Sequence, residues 1–247
     1  MAEKQIKALV VGVGAEQGLG AALCRRFARE GRHVIVAGRS PEKIGKVTAS
    51  IVSEGGRAEP FRADATIEAE VISLFDRAAA DDDSSPADII VFNAAHIDPH
   101  DFRTLPAQDF EDQWRIGCFG GFLTGREAAR RLAPLGRGTI IFTGASASLR
   151  GRPNFAAFAS AKAGLRAVAQ AMAREFGPLG LHVVHVIIDG GIDGEKLSSR
   201  FPQMRIEKGP GGLLDIDAIA ETYWQIHRQH PSAWTHELDL RPFKEGF

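Results

Sequence analysis

The run VVGVGAEQGLGAAL, residues 10–23, decides how the rest of the chain is read. It leaves an apolar stretch, IKALVVG at 6–12, and passes through Gly14, Gly18 and Gly20 into a segment with helical spacing. A turn without Cβ atoms lets a bulky anion approach the backbone. The free N–H groups at the start of the following helix favour negative charge there. Glycines are common in any turn, but a G-x-x-x-G-x-G spacing between a first strand and a first helix has the physics of a dinucleotide site. Gln17 and Leu19 lie inside that turn and belong to the same candidate site.

Outward from the turn, short apolar runs alternate with helical patterns. HVIVAG (33–38), RAEPFRAD (57–64), ADIIVFN (87–93), GTIIFTG (138–144) and LHVVHVIID (181–189) read as further strands. Helical spacing falls at about 18–30, 41–54, 67–80, 107–132, 156–176 and 215–230. Near-continuous apolar strands suit a parallel sheet buried on both faces, and repeated strand-helix alternation implies right-handed crossovers. With an apparent last strand in SAWTHELDLRPFKEGF, the expectation is a single α/β domain over 1–247: a doubly wound, Rossmann-type parallel sheet of about seven strands with helices on both faces. The segment 189–212 is Gly-rich and weakly periodic and follows a strand's carboxyl end, so it reads as a mobile substrate flap.

Composition excludes several classes. Thirty Lys and Arg against 31 Asp and Glu leave a net charge of -1, which gives no sign of a nucleic-acid partner. No stretch approaches the roughly 18 apolar residues of a membrane span, and no leader pattern precedes the first strand, so a cytoplasmic protein without a membrane partner is expected. Cys24 and Cys118 read as reduced, buried thiols. His33, His182 and His185 lack metal-ligand spacing and read as core or surface histidines, so no metal is expected.

The second strand ends VIVAGRS, with Gly38 and Arg39 where an NAD-preferring site usually carries an acid for the ribose hydroxyl. A guanidinium there favours the additional phosphate of NADP(H) over NAD(H).

These features together resemble the short-chain dehydrogenase/reductase family over nearly the full length. Gly14, Gly18 and Gly20 match its glycine motif, and Asp64, followed by Ala65, matches the acid that family sets against the adenine ring. FNAAH (92–96) resembles its Asn-Ala-Gly motif through Asn93 and Ala94. Gly190 and Ile192 resemble the turn after its sixth strand, with Asp189 in place of the usual Pro. Lys162 in FAAFASAKAG matches its catalytic Lys, which also binds the nicotinamide ribose. The resemblance implies a small-molecule substrate. It also implies a dimer or tetramer built on the helices at 107–132 and 156–176, and the C-terminal tail is expected to reach towards a neighbour's site.

The catalytic set departs from the family. Phe158, one helical turn before Lys162, stands at the Tyr position, Ala145 at the Ser position and Gly117 at the Asn position. Hydride reduction of a carbonyl leaves an alkoxide that needs a proton, and general acid catalysis is worth about 10² to 10⁴ in rate. Phe158 has no proton to give. Ser146, one residue past the family's Ser, and His96, just beyond the fourth strand, are the candidate substitutes. Tyr223, the only Tyr, reads as packing. Two functions remain open: an NADP(H)-dependent oxidoreductase acting on a small carbonyl, alcohol or activated alkene through an unusual site, or a catalytically inactive nucleotide-binding sensor or oligomeric partner.

Overall fold

The computed structural model describes residues 4–246; residues 1–3 and 247 of the expected domain lie outside the described residues. Strands β1 (Ile6–Val11), β2 (His33–Gly38), β3 (Arg57–Arg62), β4 (Ser85–Phe92), β5 (Gly138–Thr143) and β6 (Leu181–Ile188) alternate with helices α1 (Leu19–Arg29), α2 (Pro41–Ser53), α3 (Glu68–Ala79), α4 (Ala107–Trp114), α5 (Gly120–Leu132) and α6 (Ala156–Phe176). Then come the two-residue β7 (Ile192–Asp193), α7 (Glu195–Arg200), α8 (Pro202–Lys208), β8 (Leu214–Asp215), α9 (Ile216–His227) and β9 (Glu237–Leu240). The main sheet has seven parallel strands in the order β3-β2-β1-β4-β5-β6-β9. The order reverses beside β1, between β1 and β4, which places a crevice at the carboxyl ends of those strands.

Strand periodicity builds two cores from one sheet. Ala8 and Val10 of β1 pack into the layer formed with α1, α2 and α9, whereas Leu9 and Val11 pack into the layer of α3, α5 and α6. Both layers are buried, which is why these strands lack polar alternation. Lys7 is the exception on β1. It is fully buried, and its Nζ donates to the carbonyls of Ala80 and Ser84 and to Asp82, pinning the acidic loop before β4. That anchor starts β4 at Ser85, two residues before the apolar run.

The helix expected over 107–132 is split by a π turn, Arg115–Phe119, which holds Gly117. A widened turn of this kind adds a residue and commonly marks a functional site. The segment 189–212, expected as a flap, carries α7, α8 and β7, whose Ile192–Asp193 pair in parallel with Leu214–Asp215. The C-terminal tail makes contacts with its own chain. Pro242 packs against Gly190, Phe243 against Gly211, and Lys208 pairs with Glu245 at 2.7 Å. Cys24 and Cys118 are buried free thiols, and burial raises the pKa of each.

Candidate active site

The glycine turn is built by backbone contacts across the crevice. Gly12 ends β1 with φ +94°, and a Cβ there would fall 2.4 Å from the Ala94 nitrogen just past β4. Gly38 is equally constrained, since its Cβ would stand 2.3 Å from the Val13 carbonyl oxygen. Only glycine meets both demands at Gly12. Gly38 is the strand end read beside Arg39, whereas Gly12 is a site residue that the sequence reading leaves out. Gly14 is different: a Cβ there would meet nothing within 4 Å, so this backbone faces open space. Gly18 caps α1 in extended conformation with no side-chain hydrogen bond to its first turn. Asn93 holds the turn from below through Nδ2 to the Gly12 carbonyl at 3.5 Å, and Gly20 lies over it. Leu19 is a buried core residue, and Gln17 is exposed.

Past β2, Arg39 is exposed and makes no ion pair or hydrogen bond among the described residues. Past β3, Asp64 Oδ1 accepts from the Thr66 amide and hydroxyl at 2.9 and 2.8 Å, while Oδ2 remains uncommitted. Ala65 packs against Gly120 of α5. An unpartnered guanidinium, a carboxylate oxygen and an open glycine turn fit the adenosine and phosphate parts of a dinucleotide.

At the other end of the crevice, Lys162 is 2% exposed and donates from Nζ to the Thr143 carbonyl at 2.6 Å. The ammonium stands 5.8 Å from the centre of the Phe158 ring, so the shared helical face is observed. No carboxylate pairs with it among the described residues. Burial, helped by Lys196, lowers its pKa to about 7. Thr143 also hydrogen-bonds Tyr223 at 3.0 Å through its hydroxyl, and Tyr223 is fully buried in the core. Gly117 packs tightly here, its position for a Cβ lying 3.0 Å from Ala161 Cβ. An Asn at that point would require α6 to give way.

The two candidate substitutes sit differently. Ser146 opens a 3-10 turn, Ser146–Ser148, and its half-buried hydroxyl makes no hydrogen bond within the described residues. His96 is half-buried, and burial followed by Lys196 lowers its pKa, so the ring is neutral near pH 7 and a poor proton donor. A group missed from sequence lies behind Ser146. The Ala145 amide donates to Ser148 Oγ at 3.2 Å, Ser148 meets His185 Nε2 at 3.2 Å, and His185 Nδ1 meets Glu237 at 2.9 Å. Arg166 closes the chain with two bonds of 2.7 Å to the same carboxylate. Because Glu237 only accepts, His185 carries its proton on Nδ1 and accepts from Ser148. Burial lowers its pKa to about 4, which keeps that tautomer neutral. His185 therefore fixes the loop at the end of β5, and Gly144 must be glycine because a Cβ would lie 2.3 Å from its Nε2.

The turn after β6 replaces proline with a buried acid. Asp189 is 3% exposed and pairs with Arg150 at 3.4 Å and with Arg241, tying the β5-α6 loop and the tail to the cleft. Gly190 packs against Pro242, and Ile192 pairs with Leu214. The α7 segment then crosses the crevice. Glu195 N donates to the Gln17 carbonyl at 2.7 Å, and Arg200 donates to the Ile97 carbonyl at 2.9 Å. The structure thus gathers the glycine turn, Asn93, Ala94 and the β6 turn around one crevice at the carboxyl ends of the strands, with Phe158 and Lys162 facing each other on α6.

Residues 7–204 match the family model described as short chain dehydrogenase, and the chain belongs to that family. It is 33% identical over 213 residues to the uncharacterized oxidoreductase YuxG of Bacillus subtilis (strain 168), a match covering 85% of this chain and 30% of that protein. The chain thus spans less than a third of that relative's length. A solved short-chain dehydrogenase from Rhodopseudomonas palustris superposes with a TM-score of 0.82 at 37% identity, covering 98% of this chain and all of the other. A metagenomic short-chain oxidoreductase solved in complex with NADP shares the fold with a TM-score of 0.80 at 20% identity, covering 98% and 99% of the two chains. Among the described residues, no helix is long and apolar enough to cross a membrane.

Proposed function

We propose that the chain is an NADP(H)-dependent oxidoreductase that interconverts a small carbonyl compound and its alcohol without a phenolic acid. The observation that carries this is Lys162: a buried, unpaired ammonium titrating near neutrality, held on the Thr143 carbonyl at the reacting end of a dinucleotide crevice. The bound nicotinamide supplies or accepts the hydride. Arg39 grips the additional phosphate, Asp64 receives the adenine amine, and the glycine turn and α1 receive the pyrophosphate. Lys162 holds the proton at Nζ. In reduction, hydride adds to the carbonyl carbon, the C=O electron pair moves to oxygen, and the oxygen takes the Lys162 proton. Solvent then restores that proton, so carbonyl, reduced cofactor and one proton give alcohol and oxidised cofactor. Ser146 donates a hydrogen bond to the same oxygen, and the segment 189–212 excludes water.

The test is binding of NADPH and NADH followed by NADPH oxidation over a carbonyl panel, in wild type and in Phe158→Tyr. Tight NADPH binding with turnover by the wild type supports the proposal. Tight binding with no turnover, and activity created only by the Tyr variant, would instead make the chain a nucleotide-binding sensor or oligomeric partner.

A further inference from the structure

A ring of hydrogen bonds begins and ends on α6, one helical turn apart. Lys162 donates to the Thr143 carbonyl at 2.6 Å, and Arg166, one turn further on, donates from Nε and Nη2 to Glu237 at 2.7 Å each. Between them the Ala145 amide donates to Ser148 Oγ at 3.2 Å, Ser148 Oγ donates to His185 Nε2 at 3.2 Å, and His185 Nδ1 donates to Glu237 Oε2 at 2.9 Å. The Gly144 amide, next to Thr143, donates to the Val186 carbonyl at 2.7 Å, so the carbonyl under Lys162 belongs to a segment clamped to β6 through backbone and side chain alike. Glu237 reaches His185 because the two are register partners across β6 and β9. Lys162, Ser148 and His185 are buried, and Glu237 and Arg166 are half-buried. A carboxylate that accepts three such bonds is fixed in orientation, and in a poorly solvated setting each bond polarises the next. The Lys162 ammonium has no carboxylate of its own, so whatever moves the segment 143–148 moves the acceptor that holds it.

We propose that Glu237 is a positioning residue for Lys162: through His185 and Ser148 it sets the carbonyl on which the ammonium rests, and through Arg166 it sets the turn of α6 that carries the ammonium. This rests on the oxidoreductase function proposed above and adds to its site a residue of the last strand that acts only through others. Breaking the ring leaves the nucleotide receivers in place and misplaces the proton donor, so the loss falls on kcat. A displacement of about 1 Å at a reacting group costs about a hundredfold in rate. Gln cannot stand in for Glu237, because its one oxygen and one amide NH2 present a donor either to Arg166 or to the His185 Nδ1–H.

The test compares the full-length wild type with Glu237→Gln, Ser148→Ala and the double variant, by steady-state carbonyl reduction with NADPH and by fluorescence titration of NADPH. Each single change should lower kcat by about ten- to hundredfold with KM and NADPH affinity held within about twofold, and the double variant should be no slower than the slower single. Asp239→Asn, which removes an exposed charge from the same strand, should keep the wild-type kcat. If Glu237→Gln does not fold, Arg166→Lys takes its place with the same loss expected, since it keeps the charge but not the paired bonds. A kcat within about twofold of wild type in either single variant, a loss carried by KM, losses that multiply in the double variant, or an equal loss in Asp239→Asn would overturn the proposal. Turnover absent from every protein would instead remove the oxidoreductase function. Lys162 is then read from the NMR resonance of its Cε in the lysine-labelled chain. A shift of that resonance in both Glu237→Gln and Ser148→Ala supports the ring, and a resonance unchanged in either would overturn it.

Discussion

Replacing Lys162 by Met keeps the length of the side chain and removes its charge, which makes the desolvation of this lysine measurable. In the unfolded chain the amine titrates at its ordinary 10.5, and in the folded chain at about 7. The folded protein therefore releases the proton first, and wild-type stability must rise with pH across that window. In full, the difference is worth about 5 kcal/mol of destabilisation below the folded pKa, nearly all of it present at about pH 6 and about 2 kcal/mol left at about pH 9. Met carries no such cost. Its lost bond to the Thr143 carbonyl is a penalty of about 1 to 3 kcal/mol that does not change with pH. Urea unfolding of nucleotide-free wild type and Lys162→Met should therefore show the variant's relative stability falling by about 2 to 3 kcal/mol between those pH values. A gap that stays constant within about 0.5 kcal/mol would refute the premise that Lys162 is held desolvated and unpaired.

Arg39→Ala should weaken NADPH binding by about ten- to hundredfold and leave NADH binding nearly unchanged, read by fluorescence titration. Gly12→Ala forces a methyl against the Ala94 backbone at positive φ, so thermal unfolding should drop by several degrees and nucleotide affinity should fall with it. Phe158→Tyr places a phenol beside Lys162 and should raise carbonyl reduction by about 10² or more, checked by steady-state kinetics. If the family's oligomer holds, Trp114→Glu or Phe122→Glu, on the exposed aromatic face of α4 and α5, should shift sedimentation towards the monomer.

The sheet was legible because its strands carry their burial in their composition. Leu9 and Val10 point to opposite layers and both must be apolar, so β1 could be read without any neighbour. The glycine turn was legible for the same local reason. What escaped were features set by residues distant in sequence. Nothing around Gly117 announces the π turn, in which a Cβ at Gly117 would lie 3.0 Å from Ala161 on α6. His185 looked like one core histidine among several, and its place in the Ser148–His185–Glu237–Arg166 chain depends on β9 lying beside β6.

In the proposed function, hydride transfer proceeds with a lysine and no phenol. Single-turnover mixing of the NADPH-loaded chain with excess carbonyl acceptor measures it directly, following nicotinamide absorbance and the alcohol formed. The wild type should oxidise its bound NADPH with one alcohol formed per nicotinamide, and Lys162→Met should slow that step by about a hundredfold or more. Bound NADPH that stays reduced against every acidic and neutral carbonyl, or equal rates in the two proteins, would contradict it.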